Sequence, residues 1–193
     1  MSITVFDIRY FYHYIPTYYE GLSDEQEEEQ RRVLDFKDGI CSEEDMDLFV
    51  TYIQRKIDNL DPSLLPVVLF MPSTNEKAHR RKFEKLSRYL DKKLSCPVNL
   101  MTLCYIDKYK PSHLGGEKGV TDERLCISFE EFEDRYVFLV DDVYTTGKTY
   151  NAIKDFLLEW GATGVTGVMF ARTIHPKELK VSPKKNKNKS FNP

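Results

Sequence analysis

The chain of 193 residues is poor in the features that mark secreted, membrane or metal-stapled proteins. Its four cysteines, Cys41, Cys96, Cys104 and Cys126, show no C-x-x-C spacing. Neither a disulfide framework nor a structural zinc site is expected from them. No stretch approaches the roughly 18 apolar residues of a membrane span. The opening Met1-Ser-Ile-Thr-Val-Phe6 has neither the basic flank nor the small-residue cleavage site of a secretory leader. No internal repeat is visible. No sign of charge dominates either: the formal net charge is -3, which gives no general reason to expect nucleic-acid binding. The expectation is a soluble cytoplasmic protein with reduced thiols and no membrane partner.

What remains is an ordinary globular composition, 41% hydrophobic and 31% charged, at a length that fits one domain with a proper core. The charge is unevenly placed. From Pro176 onward Lys177, Lys180, Lys184, Lys185, Lys187 and Lys189 face the single acid Glu178, so the body is acidic, helped by Asp24-Glu-Gln-Glu-Glu-Glu29. Residues 176–193 read most simply as a basic, disordered tail. A weak RNA or DNA contact through it is a minor reading and would fade with salt.

Residues 1–60 read as an N-terminal extension or hood packed on a core at 61–175. Ile3 to Ile15 is aromatic and partly alternating, an extended segment or a hairpin. Ser23 or Asp24 caps a helix running towards Leu34 and stopped at Gly39. Ser42 with Asp45 three residues on resembles a capping box, and Met46, Phe49, Val50, Ile53 and Ile57 keep helical spacing behind it. From Leu65 the grammar changes. Pro66 to Met71 is a short apolar run, the mark of a strand buried on both faces. A helix follows to about Leu94. Val98 to Tyr105 predicts a second strand, and Asp107 to Arg124, with Pro111, Gly115, Gly116 and Gly119, a long mobile loop. Tyr136 to Val140 is a third strand, Lys148 to Trp160 a helix ended by Gly161, and Val165 to Ala171 a fourth strand. Alternating strands and helices imply an α/β fold with a mostly parallel central sheet flanked by helices. In such sheets ligands sit at the carboxyl ends of strands. The loops at Pro72 to Lys77, Asp107 to Gly119 and Asp141 to Thr149 are therefore expected to converge.

The third strand runs into Asp141-Asp142, and Val143-Tyr-Thr-Thr-Gly-Lys-Thr149 leads directly into a helix. Glycine permits a tight turn, the amides of the turn and helix start favour an anion, and the threonine hydroxyls add donors. Two carboxylates beside that nest suit a sugar diol, Mg²⁺, or both, because magnesium typically takes one or two carboxylates together with substrate phosphates. Phosphate, diol and metal together are what a phosphorylated ribose supplies. Gly147-Lys148-Thr149 does not make an ATP-binding P-loop, since Asp142 stands where that motif needs its first glycine. A phosphoacceptor receiver domain would explain the acids but not the Thr-Thr-Gly-Lys-Thr that follows.

The segment Val137-Phe-Leu-Val-Asp-Asp-Val-Tyr-Thr-Thr-Gly-Lys-Thr149 closely resembles the phosphoribosyl pyrophosphate (PRPP) motif of type I phosphoribosyltransferases, and the layout from Leu65 to Arg172 resembles that family's core. Within it the chain looks most like the ComF-like, amidophosphoribosyltransferase-like group. That group similarly pairs Asp-Asp-Val-x-Thr-Thr-Gly with a final strand ending in Ala-Arg, here Ala171-Arg172, and has an early Phe-Lys-x-Gly, here Phe36 to Gly39. The four-cysteine zinc module with which many of those proteins begin has no counterpart.

The resemblance implies roles. Asp141 and Asp142 would hold the ribose hydroxyls and, with substrate phosphates, Mg²⁺. Thr145, Thr146, Gly147, Lys148 and Thr149 would wrap the 5′-phosphate. Pro72, Ser73 and Thr74 would form a pyrophosphate loop, often held in the family by a cis peptide, with Lys77, Arg80 and Arg81 to neutralise the pyrophosphate. Lys108, Lys110 and His113 would be contacts from a loop closing over PRPP, and Lys108 and His113 join the two aspartates as candidate catalytic residues. A homodimer is common in the family. Thr145 stands where the family's oxopurine enzymes carry an acid, which argues against a simple hypoxanthine-guanine enzyme.

Plainer readings stand beside these. His113 is more often a solvated histidine. Most charges around His79, namely Lys77, Arg80, Arg81 and Lys82, read as a solvated helix face with one or two turned to the site. The tyrosines from Tyr10 to Tyr19 more often pack on a sheet edge or at a dimer contact than stack on a base. The expected activity is transfer of phosphoribose from Mg²⁺-PRPP to a nitrogen acceptor, a nucleobase or amine, with release of pyrophosphate. The alternative is a non-catalytic PRPP- or nucleotide-binding regulator, or a ComF-like accessory protein of DNA metabolism.

Overall fold

The computed structural model of the protein describes residues 8–105, 125–174 and 182–183. Five strands form one parallel sheet in the order β1 (Ile8–Tyr14), β8 (Gly164–Thr173), β7 (Arg135–Tyr144), β3 (Leu65–Phe70) and β4 (Val98–Asn99). The three central strands are the near-continuous apolar runs expected of strands covered on both faces. Val67 to Phe70 and Val137 to Val140 are all fully buried. Successive residues along them point to opposite faces and build two cores. Val68, Phe70, Phe138 and Val140 face one core, while Val67, Leu69, Val137 and Leu139 face the other.

Three helices cover the first face: α1 (Asp24–Lys37), α2 (Glu43–Ile57) and α3 (Glu76–Lys93). Ser23 caps α1 in a full capping box with Gln26. At α2, Ser42 accepts from the Asp45 amide and donates its hydroxyl to the Asp45 carboxylate at 2.7 Å. The reciprocal half of a capping box is replaced there by a buried network. Asp45 also accepts from Tyr12 Oη at 2.8 Å and from Arg32 at 3.3 Å, tying β1, α1 and α2 together. Burial, reinforced by Asp45, pushes the Tyr12 phenol up to about 12. Phe36 of α1 stacks on Phe170 of β8 with ring centres 4.2 Å apart, and Phe49 of α2 lies nearly parallel beside both. Such ring pairs contribute about 0.5–1.5 kcal/mol each beyond their buried area.

The second face is covered by α4 (Lys148–Glu159) and by buried Phe132, which follows the 3₁₀ turn Phe129–Glu131. Ile8–Tyr14, in the aromatic segment expected to be extended or a hairpin, is a parallel edge strand on β8, with Tyr12 packed on Phe170 at 5.0 Å. One sequence expectation needs correction. The run Val98 to Tyr105 is two strands, because only β4 joins the sheet. β5 (Leu103–Tyr105) instead pairs antiparallel with β6 (Leu125–Ile127). Residues 106–124, for which a loop from Asp107 to Arg124 is expected, thus follow a ribbon rather than a sheet strand and lie outside the described residues. Ser182–Pro183, within the basic tail, form β9 and pair antiparallel with β2 (Tyr19–Glu20). No helix among the described residues is long and apolar enough to cross a membrane.

Candidate functional site

Strands β3 and β7 are neighbours, so the segments leaving their carboxyl ends lie side by side; the Met71 amide still bonds Val140 O at 2.8 Å. β7 continues through Asp141 and Asp142 to Tyr144, longer than its apolar run alone predicts. The chain then turns at Thr145-Thr146-Gly147 and starts α4. Gly147 is the N-cap in the left-handed region, φ 73°, and it supplies no side-chain cap. A Cβ there would collide with the Tyr144 hydroxyl. Glycine is therefore what this turn requires on both counts. Among the described residues no protein group accepts from the amides of Thr146, Gly147, Lys148 or Thr149; the Gly147 carbonyl takes the Asn151 amide at 2.8 Å. A helix start with unclaimed amides is an anion site by geometry and by dipole. Thr145, Thr146, Lys148 and Thr149 are exposed around it. Thr145 Oγ1 lies 2.9 Å from Thr173 Oγ1 at the end of β8.

The acid pair adjoins this turn, with side chains 21% and 15% exposed. Lys82 of α3 places its ammonium 3.3 Å from Asp142 Oδ1 and 4.0 Å from Asp141 Oδ1. Burial and the neighbouring Asp142 charge push the Asp141 carboxyl well above its ordinary value. Burial acts upward on Asp142 too, but the Lys82 ammonium, the bond from Asp141 and the Lys37 ammonium outweigh it and hold Asp142 low. The two carboxyls titrate as a coupled pair, Asp141 held above and Asp142 below the ordinary carboxylate value. Lys82 is itself held charged: burial pulls its value down, and the two carboxylates more than reverse this.

On the β3 side, Ser73 is buried and its Oγ has no hydrogen-bond partner among the described residues. An orphaned buried hydroxyl at a strand end suits a ligand oxygen. All described peptide bonds are trans, so the cis peptide suggested by the resemblance is not present in the Pro72 to Thr74 segment. Asn75 caps α3 through the Ala78 amide. The three α3 cations expected at the site, Lys77, Arg80 and Arg81, lie on the surface of the helix. Lys77 is exposed, Arg80 pairs with Glu76 at 2.8 Å, and Arg81 lies 3.6 Å from Asp38. His79 is structural: fully buried, its Nε2–H donates to Leu100 O at 2.6 Å, and burial holds its value below 6.5. Lys108, Lys110 and His113 lie outside the described residues.

The sequence expects one or two of the charges Lys77, Arg80, Arg81 and Lys82 to turn to the site without saying which, and Lys37 carries no expected role there. A usable signal existed. Lys82 sits three residues after buried His79 and four before buried Leu86, and Lys37 four after buried Val33. Both therefore lie on the inward stripe of their helices. Among the described residues no group of three or more His, Cys, Asp or Glu side chains is arranged to hold a metal unaided. The donor set that is there, two carboxylates beside an anion-receiving turn, fits Mg²⁺ carried in with substrate phosphates. A cavity of about 640 Å³, lined by Arg9, Leu48, Tyr52 and their neighbours, shares no residue with this site.

The sequence model of the phosphoribosyl transferase domain matches residues 82–192, more than half of the chain. The chain belongs to the phosphoribosyl transferase domain family, and its parallel sheet with flanking helices is the type I phosphoribosyltransferase fold. Similar solved structures include a Trypanosoma cruzi hypoxanthine phosphoribosyltransferase in a ternary substrate complex, at 16% identity over 69% of this chain and 79% of that one, TM-score 0.43. A Bacillus anthracis hypoxanthine-guanine phosphoribosyltransferase is similar at 14% identity over 72% and 82%, TM-score 0.43. A Trypanosoma brucei adenine phosphoribosyltransferase in complex with AMP, pyrophosphate and ribose-5-phosphate is similar at 18% identity over 66% and 64%, TM-score 0.40. No curated protein sequence matches the chain.

Proposed function

We propose that the protein transfers phosphoribose from Mg²⁺-PRPP to a nitrogen acceptor, a nucleobase or amine, and releases pyrophosphate. The observation that carries this reading is the pairing of unclaimed amides at Thr146 to Thr149 with the acids Asp141 and Asp142 one turn earlier. The amides and threonine hydroxyls take the 5′-phosphate, and the acids accept hydrogen bonds from the ribose 2′- and 3′-hydroxyls. The Ser73 hydroxyl, without a hydrogen-bond partner among the described residues, would take an oxygen of the departing pyrophosphate. Asp141 and Asp142 would hold Mg²⁺ together with ligand oxygens, and the metal would supply charge neutralisation on the pyrophosphate.

The bond from C1′ to the pyrophosphate oxygen breaks with its electron pair going to pyrophosphate. The acceptor nitrogen gives its lone pair to C1′, and the acceptor's N–H proton passes to solvent. Positive charge grows on the ribose as the old bond lengthens, and the ionised Asp142 beside the diol stabilises it. Holding both ends of the sugar fixes C1′ for attack.

A second reading is favoured by one observation. Thr145, standing where the family's oxopurine enzymes carry an acid, is tied to Thr173. A PRPP- or nucleotide-binding regulator that keeps the pocket without turnover, in the manner suggested for ComF-like proteins, fits that departure. Pyrophosphate release measured against a panel of nucleobases and amines separates the two. Release with at least one acceptor supports the transferase; tight PRPP binding without release for any acceptor supports the regulator.

A further inference from the structure

Lys82 is unexplained by the transfer reaction. Its ammonium lies within 4.0 Å of both acids, the side chain is only 20% exposed, and its ammonium rides 5.0 Å above the Phe83 ring. Lys37, whose ammonium lies over the Tyr14 ring at 4.1 Å, adds positive potential to Asp142. Two adjacent carboxylates would otherwise attract a divalent cation from solution. An ammonium already at 3.3 Å opposes this twice, by neutralising one charge and by repelling the incoming ion. A lysine head on a four-carbon stem can also be moved, unlike a neighbouring backbone group. Phosphate oxygens would offer it a new partner, whereas a bare metal ion offers none.

We propose that Lys82 is a resident counter-cation that bars free divalent ions from Asp141 and Asp142, so that metal is accepted only together with a phosphorylated ligand. This rests on reading the two acids as the ribose- and metal-facing pair. Lys82 is then a positioning residue: it sets the order in which metal and ligand arrive rather than reacting itself.

The test is Mn²⁺ titrated into phosphate-free protein, with free Mn²⁺ read by electron paramagnetic resonance. Wild type is expected to bind weakly. Lys82→Met, which keeps the packing on Phe83, should bind about tenfold tighter or more once the ammonium is gone. Lys82→Arg should restore weak binding, which a purely structural role would not require. Adding Asp142→Asn to Lys82→Met should abolish the gain. Lys82→Gln serves if the methionine variant does not fold. Mn²⁺ affinity within about twofold of wild type in a folded Met or Gln variant overturns the proposal, as does failure of both to fold, which would assign Lys82 to stability. PRPP titrated into wild type reads the underlying function separately. PRPP binding without the Mn²⁺ gain overturns the role of Lys82 alone; the gain without PRPP binding supports the cation barrier and overturns the transferase reading.

Discussion

On the α4 side of Asp141 and Asp142 the protein offers mainly neutral donors, backbone amides and threonine hydroxyls with Lys148 exposed among them, whereas on the α1 and α3 side it offers buried or half-buried positive charges. The donors come from one contiguous turn, Thr145 to Thr149, which needs only Gly147 in a left-handed conformation to exist. The charges come from Lys37 and Lys82, 45 positions apart, and depend on two helices being seated correctly on the sheet. A local device and a tertiary device thus meet at one pair of carboxylates. The first can fail by a change in one turn; the second fails only if helix packing changes.

Gly39 is where the tertiary side is most easily broken. It ends α1 at φ 82°, and a Cβ there would run into the Arg81 carbonyl, next to Lys82. Backbone cannot move aside as a side-chain tip can. Gly39→Ala is expected to lose about 3 kcal/mol of stability, from left-handed strain together with overpacking. Denaturant unfolding reads this directly, and a loss under about 1 kcal/mol would mean that α1 and α3 are not held by this approach.

Gly147→Ala tests the local side. Its clash is with the Tyr144 hydroxyl, which can yield, so the stability loss should be smaller, about 1–2 kcal/mol from backbone strain. Affinity for Mg²⁺-PRPP should fall about tenfold, or ~1.4 kcal/mol, as the amides are turned off target. Unchanged affinity by calorimetry would separate the turn from the phosphate.

His79 sharpens the comparison through pH. It anchors the start of α3, and its folded value is held below 6.5 by burial. As pH falls below 6.5, the unfolded chain takes up a proton that the folded imidazole resists, so this contribution to stability is present above that pH and is lost below it. The slope can reach about 1.4 kcal/mol per pH unit. His79→Gln keeps a donor for Leu100 O and should flatten the slope in unfolding curves; an unchanged slope would exclude His79 as its source. Thr173→Val, which removes one hydroxyl of an exposed pair with Thr145, should cost under about 1 kcal/mol, and a larger loss in thermal unfolding would give that contact more weight than its exposure suggests.

The same contrast explains what could be read from the sequence. The acids, the turn and the start of α4 follow one another along the chain, so their juxtaposition was legible from residue order. The buried runs of β3, β7 and β8 were legible because only apolar residues fit a strand covered on both faces. The strand β4 was not, since Val98 to Tyr105 reads as one run yet divides between two sheets, with bends at 100–102 between the parts. Lys82 was hidden by composition. On a helix with Lys77, Arg80, Arg81, Lys85 and Arg88, one inward cation looks like the solvated ones until its partner strand is in place. Arg80 and Arg81, expected to neutralise a pyrophosphate, each lie beside a surface acid, Glu76 or Asp38.

The account turns on the ribose- and phosphate-facing character of the Asp141–Thr149 segment, and calorimetric titration of Mg²⁺-PRPP into wild type and Asp142→Asn measures it most directly. Saturable one-to-one binding by the wild type, weakened about tenfold or more in the variant as a charge-assisted contact is lost, is the predicted result. Binding that is absent from the wild type, or equally strong in both proteins, would contradict it.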